Sequence, residues 1–283
     1  MNITIAQALR EATVVLKQAQ VPDAQFDASL LLSDLLERDR GFLITHADDL
    51  LTEDQLTGFV ERTRRRASGE PLQYITGTQE FFGLSFEVSP AVLIPRPETE
   101  LIVEIALECI EPKAQATILD LGTGSGCITI SILKQRPNTN AIATDLSHEA
   151  IKIALRNATR HGVRERTSFL VADALRTFGN TQFDLIVSNP PYVPDADWPT
   201  LQREVREHEP RTALTSGQDG LDLIRRLLKD AGAFLRPAGY FIFEIGYDQA
   251  SLVQQLVDQS IWSFLGIRED LQGIPRTVML QKR

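Results

Sequence analysis

From residue 5 to about residue 68, apolar residues recur at intervals of three and four, as in Ala28, Leu31, Leu32, Leu35 and Leu36, with turn breaks near Pro22 and Gly41. That spacing gathers them on one face of a helix, so residues 1–72 are predicted to form a small all-helical domain. Between residues 73 and 94 the period falls to two, with Phe82, Leu84, Phe86 and Val88 on alternate positions. Alternation of this kind predicts a β-hairpin linking two domains. After Pro95, short apolar runs at 116–122, 140–146, 168–173, 183–188, 239–246 and 276–282 read as strands. Amphipathic stretches at 127–134, through Ala150, Ile151, Ala154 and Leu155, and at 221–234 read as the helices among them. Strands alternating with helices imply a mainly parallel, doubly wound α/β sheet over residues 95–283.

The apolar fraction of 43% and charged fraction of 24% are those of an ordinary globular chain and exclude a disordered one. Apolar runs fall well short of the roughly 20 residues that span a bilayer, and the start of the chain lacks a secretory pattern, so a cytoplasmic protein without a membrane partner is expected. Its 29 basic against 38 acidic residues give a net charge of -9, most of the excess lying ahead of Pro95. Charge alone would not hold a polyanion, and no stable nucleic-acid partner is expected. The two cysteines, Cys109 and Cys127, and the four histidines show no ligand or disulfide spacing. A reducing compartment and no metal site follow. A basic run, Arg62, Arg64, Arg65 and Arg66, reads as a solvated helix end, with a contact to an acidic partner or RNA as the alternative.

The first strand of the α/β part runs straight into Gly122-Thr123-Gly124-Ser125-Gly126 and then a helix. There a doubly wound sheet offers backbone N–H groups and a helix N-terminus to a ligand. The dinucleotide pattern GxGxxG would need its third glycine at position 127, which is Cys127, so a nicotinamide or flavin reading is weakened. Asp145 ends the next strand, where a carboxylate can accept from both hydroxyls of a ribose. Asp120, just ahead of the loop, is read as orienting the loop or a ligand's amino group. Together these residues predict a nucleoside ligand, and the GxGxG form with its following acid is similar to the S-adenosylmethionine site of class I methyltransferases.

At the end of the fourth strand stands Asn189-Pro190-Pro191-Tyr192. Proline fixes φ twice here, and Pro191 forces Pro190 into an extended conformation, so a carbonyl can be held in one direction. Such a turn suits methylation of a planar amino nitrogen, whose delocalised lone pair makes it a weak nucleophile. The Asn189 side-chain oxygen and the Pro190 carbonyl would accept from its two N–H groups, while Tyr192 stacks on its plane. The proton can leave after transfer, so no prior general base is needed.

Over residues 69–276 the chain resembles the HemK/PrmC family of protein-(glutamine-N5) methyltransferases, which modify the glutamine of the GGQ motif in class-1 peptide-chain release factors. The matching pieces are GEPLQYITGTQEFFGLSFEVS, VLIPRPETE, DLGTGSGCI, SNPPYV, EPRTALTSGQDGLD, FEIGYDQ and DLQGIPR, in family order. The resemblance implies a class I S-adenosylmethionine-dependent methyltransferase fold, a Rossmann-like doubly wound sheet, with the all-helical domain joined to it by the β-hairpin. It implies that Asn189, Pro190, Pro191 and Tyr192 bind the substrate amide, with Asn189, Pro190 and Tyr192 catalytic. Gly122, Thr123, Gly124, Ser125, Gly126, Asp145, Ala174 and Asn189 would bind S-adenosylmethionine. Some members carry Asp-Trp where this chain has Asp173-Ala174, so Ala174 would offer backbone contact alone. Arg96 and Glu98 are candidates for the pocket wall, whereas Gly217, Asp219, Gly220 and Glu244 are read as turn and strand-end structure. The helical domain would dock the release factor, and a monomer is expected.

Two other readings compete. Adenine-N6 or cytosine-N4 methylation suits the same motif, but extracting a base from a duplex calls for a basic groove that an acidic chain does not supply. A non-catalytic translation adaptor would have no need of the glycine loop, Asp145 and NPPY together.

Overall fold

The computed structural model describes residues 3–175, 178, 179 and 181–283, which fall into two compact units. The first holds residues 3–78 together with 202–208. Its helices are α1 (Ile5–Gln18), α2 (Ala24–Leu36), α3 (Arg40–Thr45), α4 (Glu53–Ala67) and α5 (Leu72–Thr76). Both α1 and α4 start in capping boxes, Thr4 with Gln7 and Thr52 with Gln55. In each box the threonine and glutamine side chains satisfy backbone N–H groups that a helix start leaves unpaired. The apolar stripe Ile5, Ala8, Ala12 and Leu16 is buried against Leu31, Leu32 and Phe59, forming a core of this unit's own.

The basic run at the end of α4 is paired within this unit rather than solvated throughout. Arg62 meets Asp34, Arg65 reaches Glu70 at 2.5 Å, and Arg64 forms a surface pair with Glu61. Arg66 is buried and binds Asp27 at 2.6 Å and Glu204 at 2.7 Å. Sequence periodicity could not reveal those partners, because Asp27 and Glu204 come from distant parts of the chain.

The second unit holds residues 79–201 and 209–283. The hairpin strands are β1 (Thr78–Phe81) and β2 (Leu84–Glu87), shorter than the predicted span because Leu72–Thr76 is helical. Phe82 and Gly83 turn between them with positive φ. The chain continues through α6 (Glu100–Cys109), β3 (Thr117–Leu121), α7 (Cys127–Gln135), β4 (Asn140–Asp145), α8 (His148–Arg160), β5 (Thr167–Val171) and β6 (Phe183–Ser188). After α9 (Arg203–His208), which clusters with the first unit, come α10 (Asp222–Asp230), β7 (Leu235–Glu244), α11 (Ala250–Leu256), β8 (Trp262–Glu269) and β9 (Pro275–Lys282).

Among the described residues the large sheet runs β5-β4-β3-β6-β7-β9-β8. Its pairs are parallel from β5 to β7, and β9 is antiparallel to both neighbours. The strand order therefore reverses between β3 and β6, the position where sheets of this kind open a ligand crevice. Each face carries a core, as the alternation of side chains along a strand requires. Ile118, Leu185, Val187 and Ile242 join one with α6, α7, Phe81 and Phe86; Leu119, Leu121, Ile186, Phe241 and Phe243 join the other with α10, α11 and Trp262. At roughly 1.5–3 kcal/mol per fully buried large apolar side chain, these two layers dominate the unit's stability.

Strand β8 is absent from the sequence reading. It lies at the sheet edge, and its register shifts between Phe264 and Gly266, where Gly266 has φ +140°. A bulge there breaks the period of two by which a strand is recognised. No helix among the described residues is long and apolar enough to cross a membrane.

Candidate active site

Glycines 122, 124 and 126 all take positive φ, between +54° and +84°, so the turn leaving β3 uses backbone that other residues rarely adopt. Gly122 and Thr123 donate to the Thr144 carbonyl at 2.9 and 2.8 Å, which ties the turn to the end of β4. The Asn157 side chain on α8 donates to the Ser125 and Glu87 carbonyls at 2.9 and 3.0 Å and so links turn and hairpin. A Cβ at Gly126 would lie 2.9 Å from Ile130 and 3.3 Å from Ala154, so this glycine serves the packing of α7 on α8. A Cβ at Gly124 would meet nothing within 4 Å, leaving that side of the turn open.

Asp120 is fully buried beneath the turn, and its Oδ2 accepts from Thr123 and Thr129, both at 2.7 Å. It thus orients the loop and the first turn of α7. Its Oδ1 has no partner, and burial pushes the carboxyl up to about 6. A raised carboxyl favours the protonated form in the fold, so the stability it contributes at acidic pH is lost as pH rises from about 4 through about 6. A difference of that size is worth on the order of 2–3 kcal/mol. Asp120→Asn is therefore expected to gain stability relative to the parent between pH 4 and pH 7. Urea denaturation across that range reads the difference, and a flat difference curve would contradict this assignment.

Asp145 closes β4, where Gly124 donates to its Oδ2 at 3.0 Å and Ser147 to its Oδ1 at 2.8 Å. Burial raises its carboxyl, and each oxygen keeps a further lone pair for a ligand hydroxyl. Gly122, Thr123, Gly124, Ser125, Asp145, Ala174, Asn189 and Pro191 all line one cavity of about 1250 Å³. Gly126 and Pro190 do not line it. Ala174 holds φ +49°, and its small side chain leaves that wall to Leu223, Arg226 and Leu227 of α10.

Across the switch point, Leu121 is in register with Ser188, which sets the glycine turn opposite NPPY. The Asn189 Nδ2 donates to Thr99 Oγ1 at 3.0 Å, and Thr99 donates to Glu244 Oε2 at 2.7 Å. The Tyr192 hydroxyl donates to Glu244 Oε1 at 3.0 Å. Burial pushes the Tyr192 hydroxyl far up, and the Glu244 charge adds to the effect, so it remains a donor. Glu244 is itself fully buried, which raises its carboxyl. Tyr192 partly packs into the second core and lines a small cavity of about 30 Å³ with Leu93, Arg96, Asn189, Ala213 and Leu214. Four of those residues, Leu93, Arg96, Asn189 and Ala213, also line the large cavity, so the small one opens beside it.

The remaining predicted residues divide. Arg96 lines both cavities and is held by the buried Glu209 at 2.5 Å, whose other oxygen accepts from the Ile94 N–H at 3.2 Å. Glu98 lines neither cavity, whereas its neighbours Pro95 and Thr99 line the large one. Of the four residues read as structure, Gly217 lines the large cavity, and Asp219, Gly220 and Glu244 form the backing of NPPY. Gln249 Nε2 donates to the carbonyls of Tyr192 at 2.8 Å and Asp219 at 3.2 Å, and a Cβ at Gly220 would stand 2.0 Å from the Tyr192 carbonyl oxygen. Thr99, Glu209 and Gln249 escaped sequence reasoning because no local pattern marks a lone polar residue whose partner lies 57 to 145 positions away. Among the described residues no cluster of His, Cys, Asp and Glu could hold a metal.

With its antiparallel strand slotted beside the edge and its ligand-facing turns on the strands flanking the switch point, the second unit has the architecture of a class I S-adenosylmethionine-dependent methyltransferase. A methyltransferase from Pyrococcus furiosus, 18% identical, shares this fold with a TM-score of 0.54 over 78% of this chain and 98% of that one. Residues 7–77 match the PrmC N-terminal domain, and residues 100–208 match the methyltransferase small domain. Release factor glutamine methyltransferases of Koribacter versatilis and Geobacter sulfurreducens are each 42% identical, covering 99% and 97% of this chain and 99% and 95% of theirs. The chain belongs to the release factor glutamine methyltransferase family, and its methyl donor is S-adenosylmethionine. The open glycine turn and the spare lone pairs of Asp145 fit that donor's nucleoside.

Proposed function

We propose that this protein transfers a methyl group from S-adenosylmethionine to N5 of the glutamine side chain in the GGQ motif of class-1 peptide-chain release factors. The observation that carries the reading is the orientation of Asn189. Its Nδ2 is committed to Thr99, so its Oδ1 is the end left to accept from a substrate amide. In this reading Gly122, Thr123, Gly124, Ser125, Asp145, Ala174 and Asn189, which all line the large cavity, hold the donor, Asp145 accepting from its ribose hydroxyls, while Gly126 shapes the turn by packing on Ile130 and Ala154.

When bound, the donor supplies a methyl group on a sulfonium, an electrophile that needs no metal. Asn189 Oδ1 accepts one N–H of the glutamine amide, and the carbonyl of Pro190, a residue that lines neither cavity, is the acceptor proposed for the other, while Tyr192 packs on the amide plane with its hydroxyl anchored on Glu244. Both acceptors belong to the proline-stiffened turn, so their dipoles favour the positive charge that develops on nitrogen as the N–C bond forms and the S–CH₃ bond breaks, its electron pair staying on sulfur as a neutral thioether. The nitrogen then loses one proton to solvent and returns to a neutral secondary amide.

The helical domain expected over residues 1–72 docks the release factor beyond its GGQ loop, and the protein works as a cytoplasmic monomer without a stable nucleic-acid partner. A net charge of -9 and two cysteines, both free, support that setting. Docking predicts that kcat/KM on an intact release factor exceeds that on a short GGQ peptide by at least about tenfold, roughly 1.4 kcal/mol of added contact. Steady-state assays with the full chain measure this ratio. Equal values would remove the docking role, and no methylation of either substrate would overturn the proposed reaction.

A further inference from the structure

Glu244 and Thr99 touch neither the donor turn nor the second carbonyl acceptor, yet the whole hydrogen-bond sense of the site runs through them. An amide side chain has two ends of nearly equal shape, and turning it over replaces an acceptor with a donor. Were Asn189 reversed, its N–H groups would face the N–H groups of the substrate amide, and the site would repel what it has to hold. Within the tetrapeptide neither proline carries an N–H that could prevent this reversal.

The restraint comes from elsewhere. Ser188 and Phe243 are partners across β6 and β7, so Asn189 and Glu244 emerge at the same level of the sheet edge. Thr99, at the end of the short turn Pro97–Thr99, stands between them. A hydroxyl has a single proton, and Thr99 gives it to Glu244 Oε2 at 2.7 Å, so only a lone pair faces Asn189. That lone pair can take the Nδ2 end and cannot take Oδ1. The other carboxyl oxygen of Glu244 accepts from Tyr192 at 3.0 Å, so one buried group orients both ends of NPPY.

We propose that Glu244 and Thr99 are positioning residues for methyl transfer, fixing the direction of each hydrogen along Glu244–Thr99–Asn189 so that Asn189 presents its oxygen to the substrate nitrogen. This rests on the reading of the substrate as a side-chain amide. Thr99→Val keeps the shape of the side chain and removes both the proton and the lone pair. It is expected to lower kcat by about 10²-fold, the scale on which an oriented transition-state dipole acts, with donor affinity by calorimetry close to the parent's and thermal stability reduced, because Glu244 Oε2 and Asn189 Nδ2 lose their partner. Thr99→Ser, which restores the hydroxyl, is expected to recover most of that loss. Glu244→Gln introduces a donor and should resemble Thr99→Val in kcat, provided it folds.

A second readout does not depend on the substrate. The Asn189 side-chain NH₂ resonance, assigned by its loss in Asn189→Asp, should exchange slowly with solvent in the parent and in Thr99→Ser and rapidly in Thr99→Val. A parent that methylates its substrate while Thr99→Val matches it in kcat, or equal exchange in all three proteins, would overturn the proposal. If the parent methylates no amide at all, the functional reading fails, and the exchange measurement still decides the relay.

Discussion

Replacing Asn189 with alanine is expected to lower kcat by about 10²–10³-fold, the scale on which removal of one preorganised dipole acts at a site of developing charge. The side chain is the acceptor proposed for the substrate amide, and it also lines the wall shared by the large and small cavities. Truncation removes the acceptor and leaves the Thr99 hydroxyl without its donor. Donor affinity should change far less, because Asp145 and the glycine turn are held by Thr144, Ser147 and Asn157, none of which touches the Asn189 side chain in the hydrogen-bond network. Single-turnover rates together with calorimetric titration of S-adenosylmethionine separate the two effects. A loss confined to donor affinity would assign Asn189 to cofactor binding alone.

The second large effect is expected at a position with no chemistry of its own. Gly220 has φ +77°, and a Cβ there would lie 2.0 Å from the Tyr192 carbonyl oxygen and 2.9 Å from Gln249 Nε2. Backbone cannot yield as a flexible side chain does, so Gly220→Ala has to displace the NPPY turn or break the Gln249 bridge that holds it. Overpacking typically costs 1–3 kcal/mol, and a left-handed alanine adds roughly 1–2 kcal/mol. We expect a loss of about 2–5 kcal/mol in urea denaturation, together with a fall in kcat that persists under conditions where the variant is fully folded. Stability within about 0.5 kcal/mol of the parent would show that this close approach is not required.

These two positions illustrate what the sequence makes legible. Asn189 stands in a compact tetrapeptide at the end of an apolar strand, and the glycine turn follows another; the residues of each motif are neighbours in the chain, so a local pattern reports them. The parallel sheet is equally legible, because apolar runs bounded by helices repeat along residues 95–283. What holds the motifs in place is scattered instead. Thr99 and Glu244 bond across 145 positions, Arg96 and Glu209 across 113, and Tyr192 and Gln249 across 57. Only the folded sheet brings these residues together, so Glu244 and Gly220 read as ordinary strand-end and turn residues until their neighbours are known. The arginine run on α4 shows the same limit, since its burial at Arg66 depends on Asp27 and on Glu204.

In the proposed reaction, an oriented amide acceptor at Asn189 directs methyl transfer to a glutamine side chain. Fragmentation mass spectrometry of a purified class-1 release factor, after incubation with this protein and S-adenosylmethionine, tests it most directly, with Asn189→Ala run in parallel. One added methyl is expected on the side-chain amide of the GGQ glutamine, absent with the variant over the same time. A methyl on any other residue, or a full yield from the variant, would contradict it.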